Sequence, residues 1–265
     1  MYNMSMVDLQ FGWYSIILVV NALFALILAV FAWKRKARGT KTLALLMLAI
    51  AEWSISGAME VAVVSKSAKI FWSQVSYVGI YVLPLLYLIL AWQYNQNDRY
   101  LKKRVIIPLG LISLIIIGLA ITNEYHHLIW ENFRWDPNHS KVLIYEYGPV
   151  FWLGALYAYI LSILAIGTFI YASTNASLVY RWQSRLITIG AILPLIGNIL
   201  YITKTNPITN LDLSPIYFLI TGGILALSMC RFKFLDLSPI ARSKVLDRMM
   251  DSVIVIDDKL RVNDL

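Results

Sequence analysis

The sequence is poor in charged residues and in cysteine. Of its 265 residues only 14% are charged, 59% are hydrophobic, and Cys230 is the single cysteine. Soluble domains carry about 25% charged residues, so an ordinary water-soluble fold is excluded. One cysteine also excludes an intrachain disulfide and a metal site built from several thiolates.

The first eight residues contain no lysine or arginine. The basic segment that opens a cleavable signal peptide is therefore missing, and we expect the first apolar run to remain in the protein as a span. The net charge of +8 does not indicate nucleic-acid binding, because the basic residues cluster at the ends of apolar runs and form no basic face.

Seven apolar stretches reach the length that a helix needs to cross a bilayer, about 20 residues. These predicted spans cover residues 11–33, 42–64, 70–94, 105–122, 150–171, 186–203 and 213–230. They are too long for strands, and they lack the short alternating pattern of a membrane β-barrel. The sequence therefore predicts an all-α membrane protein, a bundle of seven transmembrane helices.

The distribution of lysine and arginine predicts the orientation of the spans. The first, third and fifth connections and the C-terminal segment are the basic ones, and such segments stay in the cytoplasm. The N-terminus is then expected outside and the C-terminus in the cytoplasm. The outer face carries one long connection, 123–149, which is rich in aromatic, histidine and acidic residues. Connections of this length are often functional or act as lids.

The C-terminal part changes in character. Residues 240–250 predict a helix with one apolar stripe, which can pack on the membrane base, on a following domain or on its twin in a dimer. Residues 252–257 predict a strand, followed by a turn and the start of a second strand. Two strands cannot form a stable domain alone. We therefore divide the chain into a transmembrane domain (1–231), a cytoplasmic linker helix (232–250) and the truncated start of an α/β domain (251–265).

Several short motifs follow each other in order along these spans. They are TNEYHHL at 122–128, YGPVFW at 147–152, YRWQ at 180–183, LPLIGN at 193–198, LDLSP at 211–215, PIAR at 239–242 and DSVIVID at 251–257. With this order and spacing, nearly the whole chain resembles the N-terminal seven-transmembrane sensor region of prokaryotic histidine kinases. The last two motifs resemble the junction into a PAS domain.

The resemblance implies a sensory input domain without enzymatic activity of its own, located in the prokaryotic cytoplasmic membrane. It implies a homodimer in the full-length protein and a signal that passes through the cytoplasmic helix to a PAS domain. The output would be a histidine kinase with a cognate response regulator, or alternatively a diguanylate cyclase. At the junction, the residues expected to relay the signal are Pro239, Arg242, Asp251 and Asp257.

Two acidic residues, Glu52 and Glu60, lie inside the second predicted span. A charged side chain in the bilayer centre costs about 2.5–3.5 kcal/mol on insertion scales, so such residues usually face the bundle interior or water. Glu52, Ser56 and Glu60 are spaced by four residues, which predicts one shared helix face. Ligand contact or a proton-sensitive switch is one interpretation. The alternative is a structural hydrogen bond, or for Glu60 simple exposure at the membrane interface.

Aromatic residues are abundant, with 9 Trp, 16 Tyr and 10 Phe. Small-ligand sites are usually aromatic and apolar cavities with a few polar groups, although many of these rings will serve packing or the interfacial belt. We place the candidate site in the outer half of the bundle, under the long loop, for a small-molecule or lipid-like ligand. Its predicted lining residues are Glu52, Trp53, Glu60, Tyr81, His127, Trp152 and Asn198.

Other functions are less well supported by the residues. A zinc site of His126, His127 and His139 fits no standard ligand spacing, so neither a metal nor a cofactor is predicted. A retinal-binding photoreceptor needs a Schiff-base lysine, and residues 213–230 contain none. A small transporter or channel stays open as the alternative, although no inverted repeat is evident between the two halves.

Overall fold

A computed structural model describes residues 9, 12–36, 38–136, 143–174, 178–203, 205, 212–232, 255–256 and 262–264. The predicted linker helix at 240–250 lies outside these described residues. The same holds for the four predicted relay residues, Pro239, Arg242, Asp251 and Asp257. Their roles stay predictions.

Eight α-helices form in the described part of the chain, together with a short 3-10 helix (Asp98–Tyr100). They are α1 (Trp13–Lys34), α2 (Thr40–Ala62), α3 (Lys66–Tyr94), α4 (Lys103–Ile121), the short α5 (Asn123–His126), α6 (Pro149–Thr174), α7 (Leu178–Ile202) and α8 (Ser214–Phe232). Five of them, α1, α2, α3, α4 and α6, are long and apolar enough to cross a membrane. Shorter apolar segments, Thr188–Tyr201 and Ser214–Ile224, lie within α7 and α8.

The start of α3 differs from the sequence prediction. The side chain of Ser65 accepts a hydrogen bond from the backbone N–H of Ala68 at 3.2 Å and so caps the helix. Helix α3 therefore begins at Lys66, four residues before the predicted span, and Lys69 lies in its first turn. Lys69 was expected in a loop, but it is 1% exposed.

The helices pack as a ring. Each contacts the next in the order α1, α2, α3, α6, α7, α8, and α8 closes the ring on α1. Helix α4 packs against α3 from the outside, and its exposed apolar side chains face the surroundings. Helices α1 and α2 share the most extensive contact, lined on α1 by Ala22, Ala25, Ala29 and Ala32. Such small residues allow helices to approach closely in a membrane.

The long connection between α4 and α6 contains a β-hairpin. Strand β1 (Trp130–Trp135) pairs antiparallel with β2 (Leu143–Tyr147), with Phe133 opposite Tyr145 and a bulge next to Trp130. This hairpin was not predicted from the sequence, where the segment was treated as a loop. Near the C-terminus, β3 (Val255–Ile256) pairs with β4 (Val262–Asp264). Assignment of this pair to a PAS domain stays a prediction.

Candidate ligand-binding site

A cavity of about 200 Å³ lies inside the ring of helices, at the end where the hairpin sits. All the ring helices and both strands contribute to its wall. Aromatic rings are prominent in the lining, and its ionisable groups besides tyrosine are Glu60, Lys69 and Asp212. A concave, mostly apolar and aromatic cavity with a few polar groups is the usual form of a small-molecule site.

Glu60 and Lys69 form the polar wall on the α2 and α3 side. The Lys69 ammonium donates hydrogen bonds to the backbone carbonyls of Glu60 at 2.7 Å and of Val61 at 3.4 Å. These carbonyls belong to the last turn of α2, where the helix dipole favours a positive charge. Tyr145 donates a hydrogen bond from its hydroxyl to Glu60 Oε1 at 2.9 Å, and the same hydroxyl is bonded to that of Ser73. Hairpin, α2 and α3 are thus joined by one polar network.

Asp212 forms the wall on the opposite side, just before α8. Its Oδ1 accepts a hydrogen bond from the backbone N–H of Ser214 at 2.9 Å, and its backbone carbonyl accepts one from the Tyr14 hydroxyl. Burial raises the pKa of the Asp212 carboxyl above its ordinary value, and the bonds from Ser214 oppose that shift. The hydrogen bonds from Ser214 therefore hold the carboxylate in place, but they offset the unfavourable effect of its burial only in part.

Asn198 connects three helices at the edge of the cavity. Its Oδ1 accepts a hydrogen bond from the Tyr159 hydroxyl of α6 at 2.9 Å, and its Nδ2 donates to Ser214 Oγ of α8 at 3.3 Å. A polar side chain in a membrane bundle needs such partners. Asn198 thus lines the cavity and also holds its wall together.

The hairpin is held over the cavity by packed rings. Trp130 packs edge-on against Tyr77 at 4.9 Å between centroids and lies 5.7 Å from Tyr145. Tyr147 stacks on Phe151 of α6 at 3.7 Å. These aromatic contacts fix the hairpin against α3 and α6 beside the cavity.

Two tyrosines of the hairpin have perturbed hydroxyl groups. Burial and the negative charge of Glu60 raise the pKa of Tyr145 well above its ordinary value. Burial also raises the pKa of Tyr147 to about 12, opposed by a hydrogen bond with Tyr201 and reinforced by the charge of Asp212. Both hydroxyls therefore stay protonated at physiological pH. Tyr145 donates its hydrogen bond to Glu60, whereas the Tyr147 hydroxyl can donate a hydrogen bond into the cavity.

Asn123 anchors the hairpin to the end of α4. Its Nδ2 donates to the carbonyl of Trp130 at 2.9 Å, and its Oδ1 accepts from the N–H groups of Ile129 and Trp130 at 2.9 and 3.1 Å. One buried amide thereby satisfies three backbone groups that would otherwise lose their partners. His126 supports the same turn, because its Nδ1 accepts a hydrogen bond from the N–H of Leu128 at 3.0 Å.

The structure brings four of the seven predicted lining residues together. Trp53, Glu60, Tyr81 and Asn198 all line the cavity. The other three lie elsewhere, and a ligand-binding role for them stays a prediction.

Each of those three has its own surroundings. Trp152 is 52% exposed on the outer surface of α6, and His127 is an exposed turn residue with φ of 55°. Glu52 faces a separate shallow recess beside α1 and α3. An α-helix turns by about 100° per residue, so eight residues leave Glu52 and Glu60 about 80° apart. This angle is enough to direct them into different spaces.

Sequence reasoning missed Lys69 and Asp212 as site residues. Lys69 was assigned to a loop, because it lies between the predicted spans 42–64 and 70–94. Asp212 was noted only as part of the LDLSP motif. The available signal was its position two residues before Ser214 and three before Pro215, because an Asp side chain often accepts a hydrogen bond from the backbone two residues on where a turn leads into a helix.

Comparison with known families gives one clear result. Residues 17–239 match the family described as the N-terminal 7TM region of histidine kinase. No match is found among curated proteins. The family match covers most of the chain and agrees with its apolar helices and with the resemblance seen in its motifs. The chain therefore belongs to the family of N-terminal seven-transmembrane regions of histidine kinases.

Proposed function

We propose that this chain is the ligand-sensing input module of a two-component histidine kinase in a prokaryotic cytoplasmic membrane. In this proposal α1, α2, α3, α4, α6, α7 and α8 are seven spans, the N-terminus and the hairpin are outside, and the C-terminus is in the cytoplasm. Family membership supports the receptor role, and the positive-inside distribution of lysine and arginine supports the orientation.

The observation that carries the proposal is the cavity under the hairpin. Its walls come from every helix of the ring, so an occupant contacts elements that must move together when the bundle rearranges. A ligand shifts such an equilibrium only by its difference in affinity for the two arrangements. Contacts to several helices at once provide that difference.

The signal would leave the bundle through α8. We propose that it continues through the 240–250 helix in a homodimer and reaches a PAS domain that begins near Asp251. Pro239, Arg242, Asp251 and Asp257 are the proposed relay residues. The full-length protein would then phosphorylate a cognate response regulator, while this segment is the receptor part.

The test is to fill the cavity without removing a polar group. Ala155 of α6 lines the cavity and is 9% exposed, whereas the next residue, Leu156, is 57% exposed on the outer surface. We expect Ala155→Phe to change autophosphorylation of the full-length protein in membranes and to abolish its response to an extract of spent growth medium. Leu156→Phe, the matched control, should behave as wild type.

The outcome of this pair is decisive. If Ala155→Phe retains both the basal autophosphorylation and the response of the wild type while it still folds, the cavity is not the sensory site. Ion or solute flux through vesicles that contain the chain would favour the transporter alternative instead.

A further inference from the structure

The two sides of the cavity differ in charge: Lys69 lies on the side of Glu60, and Asp212 lies on the other side. Residues from five different elements line the same cavity as the Asp212 carboxylate: Tyr14 of α1, Glu60 of α2, Tyr147 of β2, Tyr159 of α6 and Tyr201 of α7. Four of these are tyrosines, and the fifth is another carboxylate. Within the described residues, no lysine, arginine or histidine forms an ion pair with Asp212.

Lys69 does not neutralise this side of the cavity. Its ammonium is bound by the carbonyls of Glu60 and Val61 at the end of α2, at 2.7 and 3.4 Å. Because it already satisfies the negative end of that helix, most of its hydrogen-bonding capacity is used. Its charge lies closer to Glu60, which is the acidic residue that it influences.

The tyrosines around Asp212 suit a positively charged group. Aromatic faces attract cations through the ring quadrupole, and this attraction grows when the site excludes water. An acidic group surrounded by aromatic rings therefore stabilises an organic cation in two ways, by charge and by ring contact.

An anionic ligand fits this geometry poorly. It would have to lie within about 200 Å³ of space together with two carboxylates, and charge repulsion at such distances is strong in a desolvated site. A large lipid also exceeds this volume, which is below the roughly 300–1,000 Å³ of pockets for drug-sized ligands.

We propose that the cavity binds a small organic cation, with its ammonium group against Asp212 inside a box formed by Tyr14, Tyr147, Tyr159 and Tyr201. This inference rests on the proposed sensory function and names the class of its ligand. Amines and quaternary ammonium compounds with a short apolar body are the members of that class that fit the volume.

The test compares cations with uncharged molecules of the same shape. Choline and 3,3-dimethylbutan-1-ol form one such pair, tetramethylammonium and neopentane a second, and phenethylamine and propylbenzene a third. Binding to the purified chain, residues 1–265 in lipid nanodiscs, is followed by tryptophan fluorescence and calorimetry. We expect at least one cation to bind about tenfold more tightly than its neutral partner, which corresponds to about 1.4 kcal/mol.

Asp212→Asn is the decisive variant. Asparagine keeps an oxygen that can accept the hydrogen bond from Ser214, so the start of α8 is preserved while the charge is removed. We expect the preference for the cation to fall about tenfold. Glu124→Gln removes an exposed carboxylate of the same outer face and should leave binding unchanged. Thermal unfolding of both variants establishes that they fold.

Three results overturn the proposal: no cation binds more tightly than its neutral partner, 3,3-dimethylbutanoate binds more tightly than choline, or Asp212→Asn binds like wild type. Each of these is distinct from a failure of the sensory function. If Ala155→Phe changes kinase output but cations show no preference, the cavity is a sensor for another class of ligand.

Discussion

The two ends of the helix bundle differ in what fills their interior. At the end where α1 leads into α2, leucine and methionine side chains such as Leu43, Met47 and Leu88 are almost completely buried in one apolar cluster. At the hairpin end, the interior holds hydroxyl groups, two carboxylates and an ammonium group around an open volume. Close-packed interiors resist deformation, whereas a cavity permits alternative arrangements. We infer that the hairpin end receives the signal and the packed end transmits it.

The two half-buried acids of α2, Glu52 and Glu60, mark the boundary between these regions. Glu60 faces the cavity and accepts the hydrogen bond from Tyr145. Glu52, two turns further into the bundle, has its carboxylate against Gly79 of α3, where only a glycine leaves enough room. Glutamate therefore lines an adaptable cavity at position 60, whereas at position 52 it lies in a tight crossing of two helices.

The largest effect should come from opening a void in the packed end. Leu88 is 0% exposed, and Leu88→Ala should destabilise the bundle by about 4 kcal/mol. Leu18 is equally buried at 1% but lines the cavity, so Leu18→Ala enlarges an existing space and should cost about 2 kcal/mol. Thermal unfolding in detergent, followed by circular dichroism, measures both. Equal losses would contradict the proposed difference between the two ends.

The crossing of α2 and α3 should be the next most sensitive position. A Cβ atom at Gly79 would lie 2.5 Å from Glu52 Oε2 and 2.7 Å from the carbonyl of Ala49. We expect Gly79→Ala to destabilise the protein by about 2 kcal/mol, because the helices must separate. Gly118→Ala in α4 is the control, since nothing lies within 4 Å there and alanine favours a helix. It should be neutral or slightly stabilising in the same unfolding experiment.

Loosening the hairpin should affect the cavity end alone. Asn123→Ala leaves three backbone groups of Ile129 and Trp130 without their side-chain partner, at a cost of about 1–2 kcal/mol. Hydrogen exchange should accelerate in β1 and β2 but remain unchanged in the inner halves of α2 and α3. Asn123→Asp keeps the two accepted hydrogen bonds and should show a smaller effect. Faster exchange throughout the bundle would show that the two ends are a single cooperative unit.

The smallest effect concerns the charge of Asp212. Its raised pKa means that the folded state disfavours the ionised carboxyl, so the wild type gains stability as the pH falls from neutral towards the ordinary value of 3.8. Asp212→Asn removes that unfavourable charge and should raise Tm at pH 7.5 by about 2 °C. The advantage should shrink at pH 5. If the Tm advantage of Asp212→Asn grew on acidification, the raised pKa of Asp212 would be contradicted. The neighbouring titratable groups are the same in the wild type and the variant: Glu60, Tyr14, Tyr147, Tyr159 and Tyr201.

Much of the helical architecture was predictable, because a long apolar run can satisfy its backbone hydrogen bonds in a membrane only as a helix. Helices form at all seven predicted spans, although α7 begins at Leu178, eight residues earlier than predicted, and five of these helices are long and apolar enough to cross a membrane. The start of α3 was missed because a hydropathy pattern places lysines outside apolar spans. Lys69 nevertheless lies inside the helix, since its ammonium group donates a hydrogen bond to a backbone carbonyl of the preceding helix. The hairpin was missed because its cross-strand aromatic pairs become apparent only when the segment folds back on the bundle.

The candidate site was predictable in part. Polar or aromatic residues inside apolar runs, such as Glu60, Tyr81 and Asn198, stand out in a sequence and do line the cavity. Residues at the ends of spans do not stand out, because charge and aromatic rings are common there for unrelated reasons. Asp212, Tyr145 and Tyr147 belong to this second group, and so does Trp152, which was predicted in the lining but is exposed on the outer surface.

The sequence by itself determined that this protein belongs in a membrane, where its helices lie along the chain and to which receptor family it belongs. These properties depend on local composition and on the order of motifs. Only the tertiary structure decided which side chains share the cavity, because residues as distant as Tyr14 and Asp212 meet there when α8 closes the ring against α1. The rotation of each helix, fixed by packing against its neighbours, separates Glu60 inside the cavity from Glu52 outside it.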